Sequence, residues 1–335
     1  MKEPKLLRDI LAGCICPLSI ALVLMSVSCD DKGSQPNNIP FAEITNPQDG
    51  SSFDFGSSIQ FQGTGNDNQD GALSGSSLVW TSDKDGQIGT GTSILRDDLS
   101  VNDHIIVLAA SDSDDNIGTD TINIEITATV TDVDGNVYNA VKIGNQWWMA
   151  ENLKVTQYRN GDPIPHVTDG STWQGLSTGA YSEYGNDPAS ADTYGRLYNW
   201  YAVDDTRSIA PEGWHMPSDD EWKQLEMYLG MSQADANATG FRGTDEGGKL
   251  KETGTVHWDS PNTGATNESE FTALPGGYRE IDGTFYYLGL EGYFWSCTAE
   301  TDSRSWLRYL HATHSGVFRD NDNKKHGLSV RCVRD

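Results

Sequence analysis

The sequence predicts a two-part, β-dominated chain: an all-β sandwich over residues 40–129, followed by a mixed α+β module over residues 130–335. Three observations predict it. Short alternating apolar runs separated by Asp/Asn/Gly clusters recur through the first part. A capped amphipathic helix begins near residue 219. Nine of the ten tryptophans lie beyond residue 130, scattered through glycine-rich stretches that read as loops around short strands.

The chain opens on a basic start, Lys2, Lys5 and Arg8, before a mostly apolar run from Ile10 to Val27 interrupted by Gly13 and Pro17. Leu24-Met-Ser-Val-Ser-Cys29 then sets small residues before a cysteine, ahead of a polar stretch. This resembles a bacterial lipoprotein signal, with residues 1–28 as signal peptide, Cys29 as lipid anchor and residues 29–39 as tether. The run is barely long enough to span a bilayer and contains a proline, which disfavours a retained transmembrane helix. Acidic residues right after the anchor resemble surface-export signals of some Bacteroidetes-like bacteria. The expected setting is therefore the outer membrane, lipid-anchored and surface-exposed.

In the first part, Ser58-Ile-Gln-Phe-Gln62 alternates, as does Thr121-Ile-Asn-Ile-Glu-Ile-Thr127, where Ile122, Ile124 and Ile126 share a face. His104-Ile-Ile-Val-Leu-Ala-Ala110 is a continuous apolar run suited to a central strand, and Ser77-Leu-Val-Trp80 is a shorter one. Asn46–Gly50, Asp67–Gly71, Asp83–Gly86 and Asp112–Asn116 supply the turns. About seven short strands at this spacing predict a sandwich.

The second part starts with Thr131-Asp-Val-Asp-Gly-Asn136, a hairpin turn feeding Val137-Tyr138 and Val141–Ile143. Two helices are predicted. Tyr194–Val203 carries Leu197 and Trp200 at a spacing of three. Asp219–Leu229 has Ser218 and Glu221 as a capping box, a buried face of Trp222, Leu225 and Leu229, and Gly230 to end it. The closing segment Gly327–Val333 reads as a strand with Leu328, Val330 and Cys332 on one face.

The net charge of −26 argues against nucleic acid, which is held by Lys and Arg, and against lying on an anionic membrane, so the membrane is engaged through the lipid only. Loss of the signal removes Cys14 and Cys16, and Cys29 becomes the anchor. Cys297 and Cys332 remain as an even pair in an oxidising compartment, where a disulfide is the default expectation and two free buried thiols the alternative.

Several strings recur in a telling order: Ile143-Gly-Asn-Gln-Trp-Trp-Met-Ala-Glu-Asn-Leu153, Tyr194-Gly-Arg-Leu-Tyr-Asn-Trp200, Gly213-Trp-His-Met-Pro-Ser-Asp-Asp-Glu-Trp222, Ala273-Leu-Pro-Gly-Gly277, Tyr293-Phe-Trp-Ser-Cys297 and Gly327-Leu-Ser-Val-Arg-Cys-Val-Arg-Asp335. Together they resemble the Fibrobacter succinogenes major paralogous domain, a relative of C-type-lectin and formylglycine-generating-enzyme folds. The preceding Gly65–Gly91 and Ala110–Ile122 segments resemble bacterial immunoglobulin-like or PKD-like modules, which act as spacers. The resemblance implies a C-type-lectin-like α+β fold and a surface setting. It implies no particular ligand.

The oxidase chemistry of the formylglycine-generating relatives needs paired cysteines with a reactive thiol to hold copper. Cys297 and Cys332, in predicted strands, suit a structural role better. No nucleophile elbow, P-loop or dinucleotide fingerprint is present. His311 and His314 fall on opposite faces of a strand, and His215 reads as a packed histidine before a helix. Asp67, Asp70, Asp112, Asp114 and Asp115 are candidate calcium ligands, since oxygen-rich loops suit that cation, and Asx turns explain the same residues. The Glu-Pro-Asn and Trp-Asn-Asp strings of sugar-binding C-type lectins are missing. Among the aromatics, Trp147, Trp200, Trp214, Trp222 and Trp295 are expected in the core. Trp173, Trp258 and Trp306, with Tyr286, Tyr287 and Arg308 as neighbours, are the candidate ligand platform. The expected function is non-catalytic binding or adhesion toward polysaccharide or a surface protein, without an obligatory cofactor. An oxidase and a purely structural envelope protein are the alternatives.

Overall fold

Two sheets bury a shared apolar interior in the first part of the structure, a computed structural model that describes residues 39–335. The expected signal peptide, Cys29 and the tether as far as residue 38 lie outside the described residues. In the first sheet, Ile59–Asp67 pairs with Phe41–Asn46, Gly71–Leu73 and Ser93–Arg96. The second sheet runs in the order Ser51–Asp54, Ile117–Thr127, Asn102–Ser111, Leu78–Ser82, Gly86–Thr90. The apolar run expected as a central strand is central, and Ile122, Ile124 and Ile126 point inward with Leu78, Trp80, Ile106 and Leu108. Ile59–Asp67 alternates buried and exposed along its whole length. Its inward positions include Gly63 and Gly65, where an added Cβ would fall 2.5 Å from Leu108 and from Leu78 respectively, so only glycine lets the two sheets approach this closely.

Beyond residue 129 the chain remains β-rich. A five-stranded sheet joins the two ends of this region: Thr129–Thr131, Val137–Ile143, Gln146–Met149, Val333–Arg334 and Trp214–His215. The six-stranded sheet that dominates the rest runs Gly240–Arg242, Val317–Asn323, Arg304–His311, Glu291–Ala299, Gly276–Arg279, Phe285–Leu288. Two clusters fill the interior. One gathers Tyr138, Tyr198, Trp200, Trp214, Trp295 and Leu307, and the other Trp148, Trp222, Trp258, Phe271 and Phe294.

The helix Asp219–Tyr228 is the longest described, at ten residues. Its capping box forms as the sequence predicts: Ser218 accepts from the Glu221 N–H, and the Glu221 carboxylate accepts from the Ser218 N–H. The predicted helix over 194–203 is instead three elements: helix Pro188–Tyr194, strand Leu197–Tyr198 and helix Trp200–Val203. Gly195 at φ 74° stops the first helix, and the Asn199 side chain caps the last by accepting from Ala202. In the closing segment only Val333–Arg334 is a regular strand; residues 326–333 are buried on both faces, so Ser329 and Arg331 are as enclosed as Leu328 and Val330.

Residues 39–335 form one compact unit. Phe55 of the first part packs against Trp147 with ring centroids 4.5 Å apart and the rings tilted at 46°, and the Arg334 guanidinium lies 3.8 Å from the Phe55 ring centre while donating to the Asp97 carbonyl. An aromatic–cation sandwich therefore joins the first sheets to the closing strand.

Candidate functional site

A row of aromatic rings crosses the six-stranded sheet from edge to edge. Register puts them side by side: Phe241 faces Phe318, Phe318 faces Tyr309, Tyr309 faces Tyr293, and Tyr278 faces Tyr286. Side chains directly opposite one another on adjacent strands share a face, so one residue per strand suffices to build the row. Centroid separations are 4.9 Å for Phe241–Phe318, 4.2 Å for Phe318–Tyr309, 4.9 Å for Tyr309–Tyr293, 4.9 Å for Tyr293–Tyr278 and 5.8 Å for Tyr278–Tyr286. His314 extends the row beyond Phe241, stacked at 4.0 Å. Beside it lies a recess of 280 Å³ lined by Gly243, Thr244, Thr263 and Thr313.

The rings lean on the interior without being enclosed. Tyr278, Tyr293 and Tyr309 pack against the first apolar cluster and remain partly exposed, whereas Phe241, Tyr286 and Tyr287 at the ends are 40%, 42% and 47% exposed. Each neighbouring pair adds about 0.5–1.5 kcal/mol beyond its buried area, so the row is held in place before any ligand arrives.

Tyr287 holds a conformation that tyrosine seldom adopts, φ 64°. Consecutive strand residues point to opposite faces. The left-handed turn breaks that rule, and both Tyr286 and Tyr287 come within 6 Å of Tyr278, at 5.8 and 5.9 Å. Backbone strain thus adds a second ring to that end of the row.

Hydroxyls along the row meet carboxylates. Tyr278 donates to Glu280 at 3.1 Å, and Tyr293 donates to Glu291. Burial and these carboxylates raise both phenols well above their ordinary value, and Tyr309 is pushed up to about 12, chiefly by burial. His326 sits between Glu280 at 2.8 Å and Asp322 at 3.2 Å. Burial opposes its charge, but the two carboxylates outweigh it and raise its pKa.

The back of the same sheet carries cations. Arg242, Arg308 and Arg319 project there and are clamped by two carboxylates of the helix Asp219–Tyr228, seven residues apart and so on one face. Asp219 accepts from Arg308 at 2.7 Å and from Arg319 at 2.9 and 2.7 Å; Glu226 accepts from Arg242 at 2.6 and 2.8 Å and from Arg308 at 2.6 Å.

A model of the Fibrobacter succinogenes major domain matches residues 141–334, a span that contains the whole aromatic row and its ion-pair backing. The chain belongs to that family. No curated protein and no solved structure matches it.

Within this major domain, the residues expected to form a ligand platform divide. Tyr286 and Tyr287 are brought together at one end of the row. Trp173, on the short helix Gly170–Gln174, and Trp258, in a loop, are buried, their indole N–H groups donating to the carbonyls of Lys325 and Ala273. Trp306 points to the back of the sheet, where the Arg319 guanidinium covers it at 3.6 Å. Arg308 is buried in the ion-pair cluster. Trp173, Trp258 and Arg308 are therefore enclosed, and Trp306, partly buried, lies on the face opposite the row. Phe241, Tyr278, Tyr293, Tyr309 and Phe318 take their place; none stood out in the sequence, because their adjacency exists only in the strand register.

Cys297 and Cys332 are free thiols, not a disulfide. Cys332 is buried with its sulfur 4.0 Å from that of Met216, an apolar contact in the first cluster. Burial pushes Cys297 up to about 11 and Cys332 further. His215 is held between Glu221 at 2.7 Å and Asp335 at 2.6 Å, and both raise its pKa. His311 accepts from the Thr313 N–H.

The candidate calcium residues of the first part turn toward protein donors. Asp67 accepts from the N–H groups of Gln69 and Asp70, Asp70 from the N–H and hydroxyl of Ser113, and Asp112 from the N–H groups of Asp114 and Asn116. Asp115 takes the left-handed position of that turn. Asp132 repeats the Asp112 pattern at Asp134 and Asn136. Asp67, Asp112 and Asp132 thus form Asx turns, while Asp70 ties two loops together, and among the described residues no group of three or more His, Cys, Asp or Glu could hold a metal ion.

Proposed function

We propose that this chain is a non-catalytic binding protein whose aromatic row takes up polysaccharide at the cell surface. One observation carries the reading: rings from six adjacent strands follow one another in contact across a partly exposed sheet face. Flat aromatic faces stack on the apolar faces of sugar rings, and a straight row suits an extended chain better than a compact ligand. Tyrosine hydroxyls and the carboxylates beside them offer hydrogen-bond partners to sugar hydroxyls.

The remainder of the proposal rests on the sequence. Cys29 anchors the chain to the outer membrane through lipid, residues 40–129 act as an immunoglobulin-like spacer, and residues 130–335 present a C-type-lectin-like module. No helix among the described residues is long and apolar enough to cross a membrane. The oxidase alternative needs an easily ionised thiol, and burial drives both thiols the other way.

Co-sedimentation with insoluble cellulose, xylan and chitin tests the reading. The protein is expected in the pellet with at least one of them, and Tyr309→Ala/Phe318→Ala in the supernatant. Equal pelleting of the variant, or a soluble parent throughout, would overturn it.

A further inference from the structure

The six-stranded sheet sorts much of its charge by face. Three of its five arginines, Arg242, Arg308 and Arg319, are on the back and are held by Asp219 and Glu226. Four carboxylates accompany the rings on the front. Phe318, Asp320 and Asp322 alternate along one strand, so all three share the ring-bearing face. Glu280 and Glu291 accept the hydroxyls of Tyr278 and Tyr293. The charges of Asp320 and Glu291 both reach Tyr309, at the centre of the row.

The compensating charge on this face is sparse. Asp322 and Glu280 bracket His326, and Arg304 reaches Asp322 from the rim at 3.6 Å. Among the described residues, the ion-pair partner of Glu291 is His311, at 3.4 Å. Asp320 is exposed, accepts only from the N–H of its neighbour Asn321, and has no ion-pair partner among the described residues.

We infer that the row selects glycans bearing free amines, weakly accepts neutral chains and rejects polyuronates. This rests on the reading of the row as a polysaccharide platform. A chain lying across Tyr309 and Phe318 passes the exposed Asp320, with Glu291 buried nearby and engaged by the Tyr293 hydroxyl. A protonated sugar amine there gains an ion pair, whereas a uronate carboxylate meets the like charge of Asp320, which has no ion-pair partner among the described residues. The rings supply affinity that is indifferent to charge, and the carboxylates supply the choice, as charge complementarity does at interfaces generally.

Titration calorimetry of the full chain tests this with three soluble probes at mildly acidic pH and low salt: the β-1,4 glucosamine hexasaccharide, cellohexaose and an oligouronate of similar length. The glucosamine chain is expected to bind about fivefold more tightly than cellohexaose, the worth of one exposed ion pair, and the oligouronate not at all. In about 1 M salt, where charges are screened within about 3 Å, the preference collapses. Asp320→Asn lowers the ratio of the two affinities. Equal affinity for glucosamine and glucose chains, or binding of the oligouronate, overturns the charge selection and leaves the platform standing. Failure of the folded protein to bind any of the three overturns both.

Discussion

Glu226→Ala is expected to destabilise the protein by about 3–5 kcal/mol, a large share of the about 5–15 kcal/mol that holds a typical domain folded. The Glu226 carboxylate is fully buried and accepts three short hydrogen bonds, two from Arg242 and one from Arg308. Without it, Arg242 loses its carboxylate partner and Arg308 loses one of its two. Arg242 is already held below the usual arginine range, chiefly by burial. Strand register also sets Arg308 directly opposite Arg319, so the carboxylates separate like charges that would otherwise repel. Urea denaturation checks this, and a loss below about 1 kcal/mol would show that the cluster is not supporting the sheet. Asp219 adds a pH signature. Burial opposes its ionisation, but hydrogen bonds from Arg319, Arg308 and Lys223 prevail and hold it well below the usual carboxylate range. Its folded pKa thus lies below the unfolded value of about 4. Its contribution is fully present above that pH and is lost as the pH falls through the folded value. The stability gap between the parent and Asp219→Asn should narrow over the same acid range.

The largest effect on binding is expected from Tyr309→Ala/Phe318→Ala. The two rings are stacked at 4.2 Å and 23° in the middle of the row, so their removal leaves two separated remnants. Central, packed aromatics dominate binding energy, at about 2 kcal/mol or more each when truncated, and the pair should cost at least about a hundredfold in affinity. Folding should survive, because both rings are partly exposed and the interior is built from other residues. Calorimetry with a soluble glucan hexasaccharide measures the first effect and thermal unfolding the second. A loss of only a few-fold would mean that the ligand lies elsewhere.

Features set by near neighbours in sequence were legible. The capping box at Ser218 and Glu221, the alternating strand Ile59–Asp67 and the central run near His104 each depend on a local pattern. Punctuation that competes with periodicity was not. Leu197 and Trp200 have a helical spacing, but Gly195 and Asn199 divide that segment into separate elements. Trp173 and Trp258 read as exposed loop residues, yet Trp173 lies in the short helix Gly170–Gln174, and the indole N–H of each is taken up by a backbone carbonyl. Aspartates that suit calcium also suit Asx turns, and only the direction of the carboxylates distinguishes the two. The row was legible only at one end, in Tyr286-Tyr287. Residues 241, 278, 293, 309 and 318 become neighbours through pairings that span up to 77 positions, as between Phe241 and Phe318.

The most direct test of the aromatic row as a glycan platform is an NMR titration of the ring-labelled tyrosines with the same glucan hexasaccharide. The account predicts concerted shifts at Tyr278, Tyr286, Tyr287, Tyr293 and Tyr309, with the enclosed Tyr138, Tyr158 and Tyr198 unmoved. Shifts confined to Tyr228, exposed on the helix outside the row, or no shift at saturating sugar, would contradict it.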